Sequence, residues 1–336
     1  MTASIEPSVR VPTVSDRYPD FFIVGHAKSG TTALYEMLRR HPQIYMPGVK
    51  EPQFFARNWA PSGERSGRAH FEQTGRRAQT VEEYLALFAA ARPDQRVGEA
   101  STFYLWSVPA PARIAAVQPG ARIIAVLREP ASFLRSLHLQ MVQNNAESEK
   151  DLRQALELEG PRRQGRKIPS TAHWPQALIY SDRVRYVEQL RRYHEAFGRQ
   201  QVLVLIYDDF KSDNEGTVRR VLRFLDVDET VPLSRVQANP TLAVRSPRIH
   251  RMTRAARAGR GPLSGAVRST VRALTTAQTR KRVLYPLRRT VVFGEPPPAD
   301  EALMGELRER FRDEVVALGS YLERDLVTLW GYDRDP

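Results

Sequence analysis

The chain has 336 residues, a formal net charge of +13 and no cysteine, with 41% apolar and 26% charged residues. The length allows one large α/β domain or two smaller ones, and the apolar content, with 19 glycines added, is enough for a sizeable core. The lack of cysteine excludes disulfides, thiolate metal sites, iron–sulfur clusters and cysteine nucleophiles, and no apolar run approaches the ~20 residues of a membrane helix.

Residues 1–18 are polar and proline-dotted, with no apolar stretch to act as a signal peptide. A loose N-terminal segment and a cytoplasmic protein are the expectations. Asp20–Gly25 is a short apolar run ending in glycine, which predicts a buried strand, and a helix is expected over about Gly30–Arg40 with Leu34, Met37 and Leu38 on one face. Residues 57–79 are rich in Arg, Gly and Ser and read as a loop. Thr80-Val81-Glu82-Glu83 is a capping box opening a helix through Ala90. Strands are predicted over Val97–Ala100 and Arg122–Leu127, and Pro130 at N1 opens a helix carrying Phe133, Leu134, Leu137 and Met141.

A loop is expected over 160–172, then an amphipathic helix over Asp182–Phe197 and a buried strand over Val202–Tyr207. Ser212-Asp213-Asn214-Glu215 caps a helix with Val218, Val221, Leu222 and Leu225. A last helix is predicted from Asp300, within 300–330. Strands alternating with helices over the first 225 residues predict an α/β fold with a central parallel sheet covered on both faces.

Charge is concentrated in one place. Residues 241–294 hold thirteen basic and no acidic residues, among them Arg245, Arg251, Arg254 and Arg257, and the rest of the chain is balanced. Such a field suits an anionic ligand or surface, and a solvated arginine-rich face is the plainer reading. The expectation is a basic, mainly helical segment over the ligand end of the sheet.

Three segments carry chemistry. Gly25-His26-Ala27-Lys28-Ser29-Gly30-Thr31-Thr32 joins the first strand to the first helix, where backbone N–H groups and a helix N-terminus can meet a phosphate. It resembles GxxxxGK[ST], yet Thr31 stands where a nucleotide triphosphatase has lysine, and Lys28 comes three residues earlier. Next, Lys50-Glu51-Pro52 cannot sit in a regular helix, so a fixed loop is expected. Arginine outnumbers lysine 45 to 6, and Lys28 and Lys50 are two of the six, which points to a compact charge at both places. Finally, Leu127-Arg128-Glu129-Pro130 places an arginine fork at a strand's C-terminal end, with Ser136 in the second turn of the following helix. His26 and His138 are expected in structural roles.

Together these segments resemble the PAPS-dependent sulfotransferase family. GHAKSGTTAL is similar to its 5′-phosphosulfate loop, LREPASFLRS to its 3′-phosphate motif, and VKEPQFF to a stretch of the heparan-sulfate-type branch whose glutamate is the catalytic base. GEASTFYL, QVLVLIYDDF and NPTLAVRSP are softer echoes, the last near the family's final cofactor loop at Arg245. The membrane anchor and disulfide of Golgi members have no counterpart here, so no heparan-sulfate substrate is implied.

The resemblance implies a P-loop-like three-layer fold, with residues 19–336 as a single catalytic domain. It implies sulfuryl transfer from 3′-phosphoadenylyl sulfate (PAPS) to a hydroxyl or amine of a small-molecule, lipid or carbohydrate acceptor, leaving adenosine 3′,5′-bisphosphate, with no metal. Lys28 would stabilise the leaving phosphate, and the N–H groups of Ser29, Gly30, Thr31 and Thr32 would cradle it. Arg128, Ser136 and Arg245 would hold the rest of the donor. Glu51 would be the base, and Lys50 would orient the acceptor or stabilise the sulfuryl oxygens. A small-molecule kinase with a degenerate ATP loop is one alternative. A nucleic-acid-binding protein using the 241–294 arginines is another, but only Tyr285 and Phe293 offer stacking there.

Overall fold

The computed structural model describes residues 17–59, 78, 80–172, 174–232, 243–244 and 293–333. Five parallel strands form its centre: β1 (Phe21–Gly25), β2 (Ile44–Tyr45), β3 (Arg96–Ala100), β4 (Arg122–Leu127) and β5 (Val202–Ile206), in the order β2-β3-β1-β4-β5. The register sets Ile23 opposite Ala100 on one side and Ile124 on the other. The chain leaves β1 toward β2 and leaves β4 toward β5, so connections diverge between neighbours β1 and β4. In open α/β sheets that is the crevice where ligands bind, at the strands' C-terminal ends.

The described helices are α1 (Thr31–Leu38), α2 (Val81–Leu85), α3 (Phe103–Trp106), α4 (Ala110–Val117), α5 (Pro130–Gln143), α6 (Leu152–Glu157), α7 (Glu159–Arg163), α8 (Tyr186–Phe197), α9 (Tyr207–Ser212), α10 (Asn214–Phe224), α11 (Glu301–Leu322) and α12 (Leu326–Trp330). Both sheet faces are covered, which explains why β1 and β4 read as continuous apolar runs rather than alternating ones. Phe22, Val24, Ile123 and Ala125 face a core built with α5, α8 and α11. Phe21, Ile23, Ile124 and Val126 face the other, built with α1 and α10. The period of two along each strand sends successive side chains to opposite layers.

Most predicted elements are present, with shifted ends. The capping box opens α2, where Thr80 Oγ1 accepts from Glu83 N, but the helix tightens to a 3₁₀ turn over Ala86–Phe88. The predicted helix Asp182–Phe197 is divided: a 3₁₀ turn spans Ser181–Val184, Arg185 leaves helical geometry, and α8 follows. A carboxylate of α11 compensates for the break, Glu314 Oε1 accepting from Val187 N at 2.8 Å. Part of the expected 160–172 loop is α7, pinned by Arg162, whose guanidinium donates to Glu147 at 2.8 Å with both side chains fully buried. Tyr207, expected to end β5, starts α9.

Of the basic segment only Ala243–Val244 (β6) and Phe293–Gly294 (β7) are described, as an antiparallel pair, with β6 packed against α5. Arg245, the other arginines of 241–294 and the expected helical character there lie outside the described residues, as do residues 1–16 and most of the 57–79 loop. No described helix is long and apolar enough to cross a membrane.

Candidate active site

The phosphate loop follows from close packing at β1's end. A Cβ on Gly25 would lie 2.7 Å from the Val126 carbonyl oxygen, and one on Gly30 would lie 2.8 Å from the Phe210 ring. Gly30 also has φ +80°, a left-handed conformation in which glycine carries no steric penalty, and it starts α1 without any side-chain cap. The first-turn N–H groups of Thr31 and Thr32 thus keep the donor character that a helix N-terminus offers an anion. Ser29 differs from expectation: its N–H donates to the His26 carbonyl at 3.3 Å, and its side chain is fully buried with no partner for Oγ.

Lys28 and Arg128 come together across the β1/β4 crevice. Arg128 Nη1 donates to the Lys28 carbonyl at 2.9 Å, and its guanidinium lies 5.0 Å from the Tyr207 ring centroid. Lys28 has φ +68°. Burial, then the positive charge of Arg128, lowers its pKa from the usual lysine value. Ser136 is buried on α5. Glu129, between Arg128 and Pro130, caps that helix: its carboxylate accepts from Ala131 N (2.9 Å) and Ser132 N (2.6 Å) and from the Tyr332 hydroxyl at 2.7 Å. Sequence reasoning gave Glu129 no role, although a glutamate before an N1 proline is a legible cap signal.

Glu51 sits one strand over, at the C-terminal end of β3. Its N–H donates to the Ala100 carbonyl at 2.9 Å, and its own φ is +63°. Thr102 N donates to Oε2 (2.9 Å), Thr102 Oγ1 to Oε1 (3.0 Å) and Lys50 Nζ to Oε1 (2.9 Å). The Glu51 side chain keeps 28% of its surface exposed, so an acceptor can reach it. Lys50 is therefore the carboxylate's ion-pair partner.

Sequence reasoning also passed over Glu99, which is fully buried beneath this loop. Its carboxylate accepts from Tyr84 (2.6 Å), Tyr104 (3.1 Å) and Ser101 (2.5 Å), and Ser101 Oγ in turn accepts from Gln53 N at 3.0 Å. Burial outweighs the three hydroxyl donors and pushes its pKa up to about 7. The signal was the glutamate of GEAST beside the small and apolar residues Val97, Gly98 and Ala100 of β3.

His26 and His138 are buried, as expected of structural residues. His26 packs 4.3 Å from the Phe133 ring and 4.8 Å from Tyr186, and burial with the nearby Arg183 charge holds its pKa well below the usual value. His138 Nε2 meets the Glu149 carbonyl at 3.0 Å. Among the described residues no group of three or more His, Asp or Glu side chains could hold a metal ion.

The phosphate loop and the carboxylate thus lie at the C-terminal end of the sheet, on the neighbouring strands β1 and β3. The chain is 27% identical over 268 residues to human carbohydrate sulfotransferase 15, a match covering 65% of this chain and 45% of that protein. It is 27% identical over 225 residues to mouse bifunctional heparan sulfate N-deacetylase/N-sulfotransferase 4, covering 63% of this chain and 23% of that one. It spans less than half the length of these curated relatives. The crystal structure of a sulfotransferase from Alicyclobacillus acidocaldarius superposes with a TM-score of 0.65 at 25% identity, covering 94% of this chain and 99% of that one. The family described as "Sulfotransferase family" matches residues 19–231, from just before β1 to just past α10 and so across every strand of the sheet. This chain belongs to the sulfotransferase family.

Proposed function

We propose that the protein transfers a sulfuryl group from PAPS to a hydroxyl or amine, with residues 19–336 acting as one catalytic unit. The observation that carries this reading is the pairing of a phosphate loop, tied to Arg128, with a reachable carboxylate on the adjacent strand end. Family membership favours it over the kinase and nucleic-acid readings. The relatives are named for carbohydrate acceptors, which makes a sugar hydroxyl or amine the favoured acceptor class.

In this reading the acceptor oxygen or nitrogen forms a bond to sulfur as the bond from sulfur to the 5′-phosphate oxygen breaks. The two events lie in line, and catalysis comes from positioning and charge, as in phosphoryl transfer. Glu51 takes the acceptor proton, and Thr102 and Lys50 hold the carboxylate in place. Lys28 and the first turn of α1 meet the charge growing on the leaving oxygen. Arg128 and Ser136 hold the 3′-phosphate, and Arg245 is placed on the same donor by resemblance alone. Ser29 Oγ, buried without a partner, fits a loop that closes around an oxyanion.

The test is a screen of hydroxylated and amino sugars, lipids and small molecules with PAPS, read as a product heavier by one SO₃ group. Products that require both PAPS and an intact Glu51 support the reading. Transfer from ATP in the presence of magnesium, with none from PAPS, overturns it.

A further inference from the structure

Arg183 lies on the 3₁₀ turn before α8 and is only 2% exposed. Its guanidinium lies over two rings, 4.3 Å from the Trp106 centroid and 5.1 Å from that of Phe103. Rings engage the face of such a cation, whereas its N–H donors lie in its plane. Two of those donors, Nε and Nη1, are buried with no hydrogen-bond partner. The titratable groups that bear on it are the phenols of Tyr180 and Tyr186, which burial keeps neutral, and no carboxylate is among them. Burial lowers its pKa to about 10, so it remains a cation at neutral pH. Arg162, equally enclosed, shows the usual solution: it is paired with Glu147.

The position of this unpaired charge is informative. Three residues on, the Tyr186 ring packs 4.8 Å from His26 of the phosphate loop, and the Arg183 charge helps hold the His26 pKa down. Its aromatic lid belongs to α3, which begins directly after Thr102, the residue holding Glu51. A buried charge without a counter-ion is a standing cost to a fold, and such costs persist where function requires them.

We propose that Arg183 is a positioning residue of the transfer site, an unneutralised charge beneath the phosphate loop that raises the positive potential where the donor's 5′-phosphosulfate binds. It acts through the loop and His26 rather than by touching substrate. In a low-dielectric interior its field reaches the leaving oxygen with little screening. The inference rests on the donor reading above.

The test compares wild type with Arg183→Met, which keeps much of the volume without the charge, and Arg183→Lys, which keeps the charge. Binding of adenosine 3′,5′-bisphosphate is measured by calorimetry and melting temperature without ligand. The expected result is that Arg183→Met melts above wild type yet binds the bisphosphate about tenfold more weakly, while Arg183→Lys recovers most of the affinity. A structural arginine gives the opposite pattern: Arg183→Met melts lower, or fails to fold, with affinity in the folded protein unchanged. That pattern, or an Arg183→Lys variant no better than Arg183→Met, overturns the proposal. If wild type itself does not bind the bisphosphate, the donor reading fails and this inference falls with it; if wild type binds and Arg183→Met binds equally well, only this inference fails.

Discussion

The two halves of the site are built by different means. The phosphate-loop half is made of backbone: two glycines pressed against a neighbouring strand and a ring, a helix start without a side-chain cap, and Lys28 in a left-handed conformation. The carboxylate half is made of side chains: Glu51 held by Thr102 and Lys50 over a buried layer of Glu99, Ser101, Tyr84 and Tyr104. The halves share one feature, since Lys28 and Glu51 both have positive φ. That conformation costs a non-glycine residue ~1–3 kcal/mol, which the surrounding contacts must offset. A backbone-built loop fails on added atoms rather than on removed ones. A side-chain-built half does the reverse.

The largest expected effect falls on the carboxylate half. Glu51→Gln keeps the shape and most of the Thr102 contacts but cannot accept a proton. It should lower turnover by ~10²–10⁴-fold with bisphosphate binding unchanged. Turnover within a factor of a few of wild type, with chemistry rate-limiting, would move the base elsewhere.

Next is the buried layer beneath it. The folded-state pKa of Glu99, about 7, lies above the usual 4.5, so the fold favours the protonated carboxyl. Its contribution is fully present below pH 4.5, fades as pH rises and is lost above pH 7, on the order of 3 kcal/mol in all. Denaturation at several pH values should show this loss in wild type and a flatter profile in Glu99→Gln. Equal slopes would mean that Glu99 titrates alike in the folded and unfolded chain.

The smallest effects sharpen the contrast directly. Gly30→Ala places a Cβ against Phe210 at positive φ and should cost ~1–3 kcal/mol of stability while also weakening bisphosphate binding. Thr102→Val removes the hydroxyl contact to Glu51, leaves the backbone N–H contact in place, and should lower turnover by a few-fold without affecting donor affinity. If both variants impair both properties equally, the division into two halves is wrong.

Much of this arrangement was legible in the sequence because it rests on local signals. The phosphate loop, the Arg128 strand end and the Pro130 helix start are each written within ten residues, and β4 appears with the predicted bounds, Arg122–Leu127. The short edge strand β2, only Ile44–Tyr45, has no pattern of its own and exists through its pairing with β3. The break at Arg185 is compensated by Glu314, over a hundred residues away. The burial of Glu99 and Arg183 was likewise hidden, because a charged residue type gives no sign of enclosure until its neighbours are known.

The central claim is that the β1/β4 crevice reads a donor carrying a 3′-phosphate. Calorimetry of adenosine 3′,5′-bisphosphate against AMP tests it most directly, because the two ligands differ only by the group assigned to Arg128 and Ser136. A charge-assisted contact of about 1.5–3 kcal/mol predicts roughly ten- to hundredfold tighter binding of the bisphosphate, with that preference lost in Arg128→Met. Equal affinity for the two nucleotides would contradict the account.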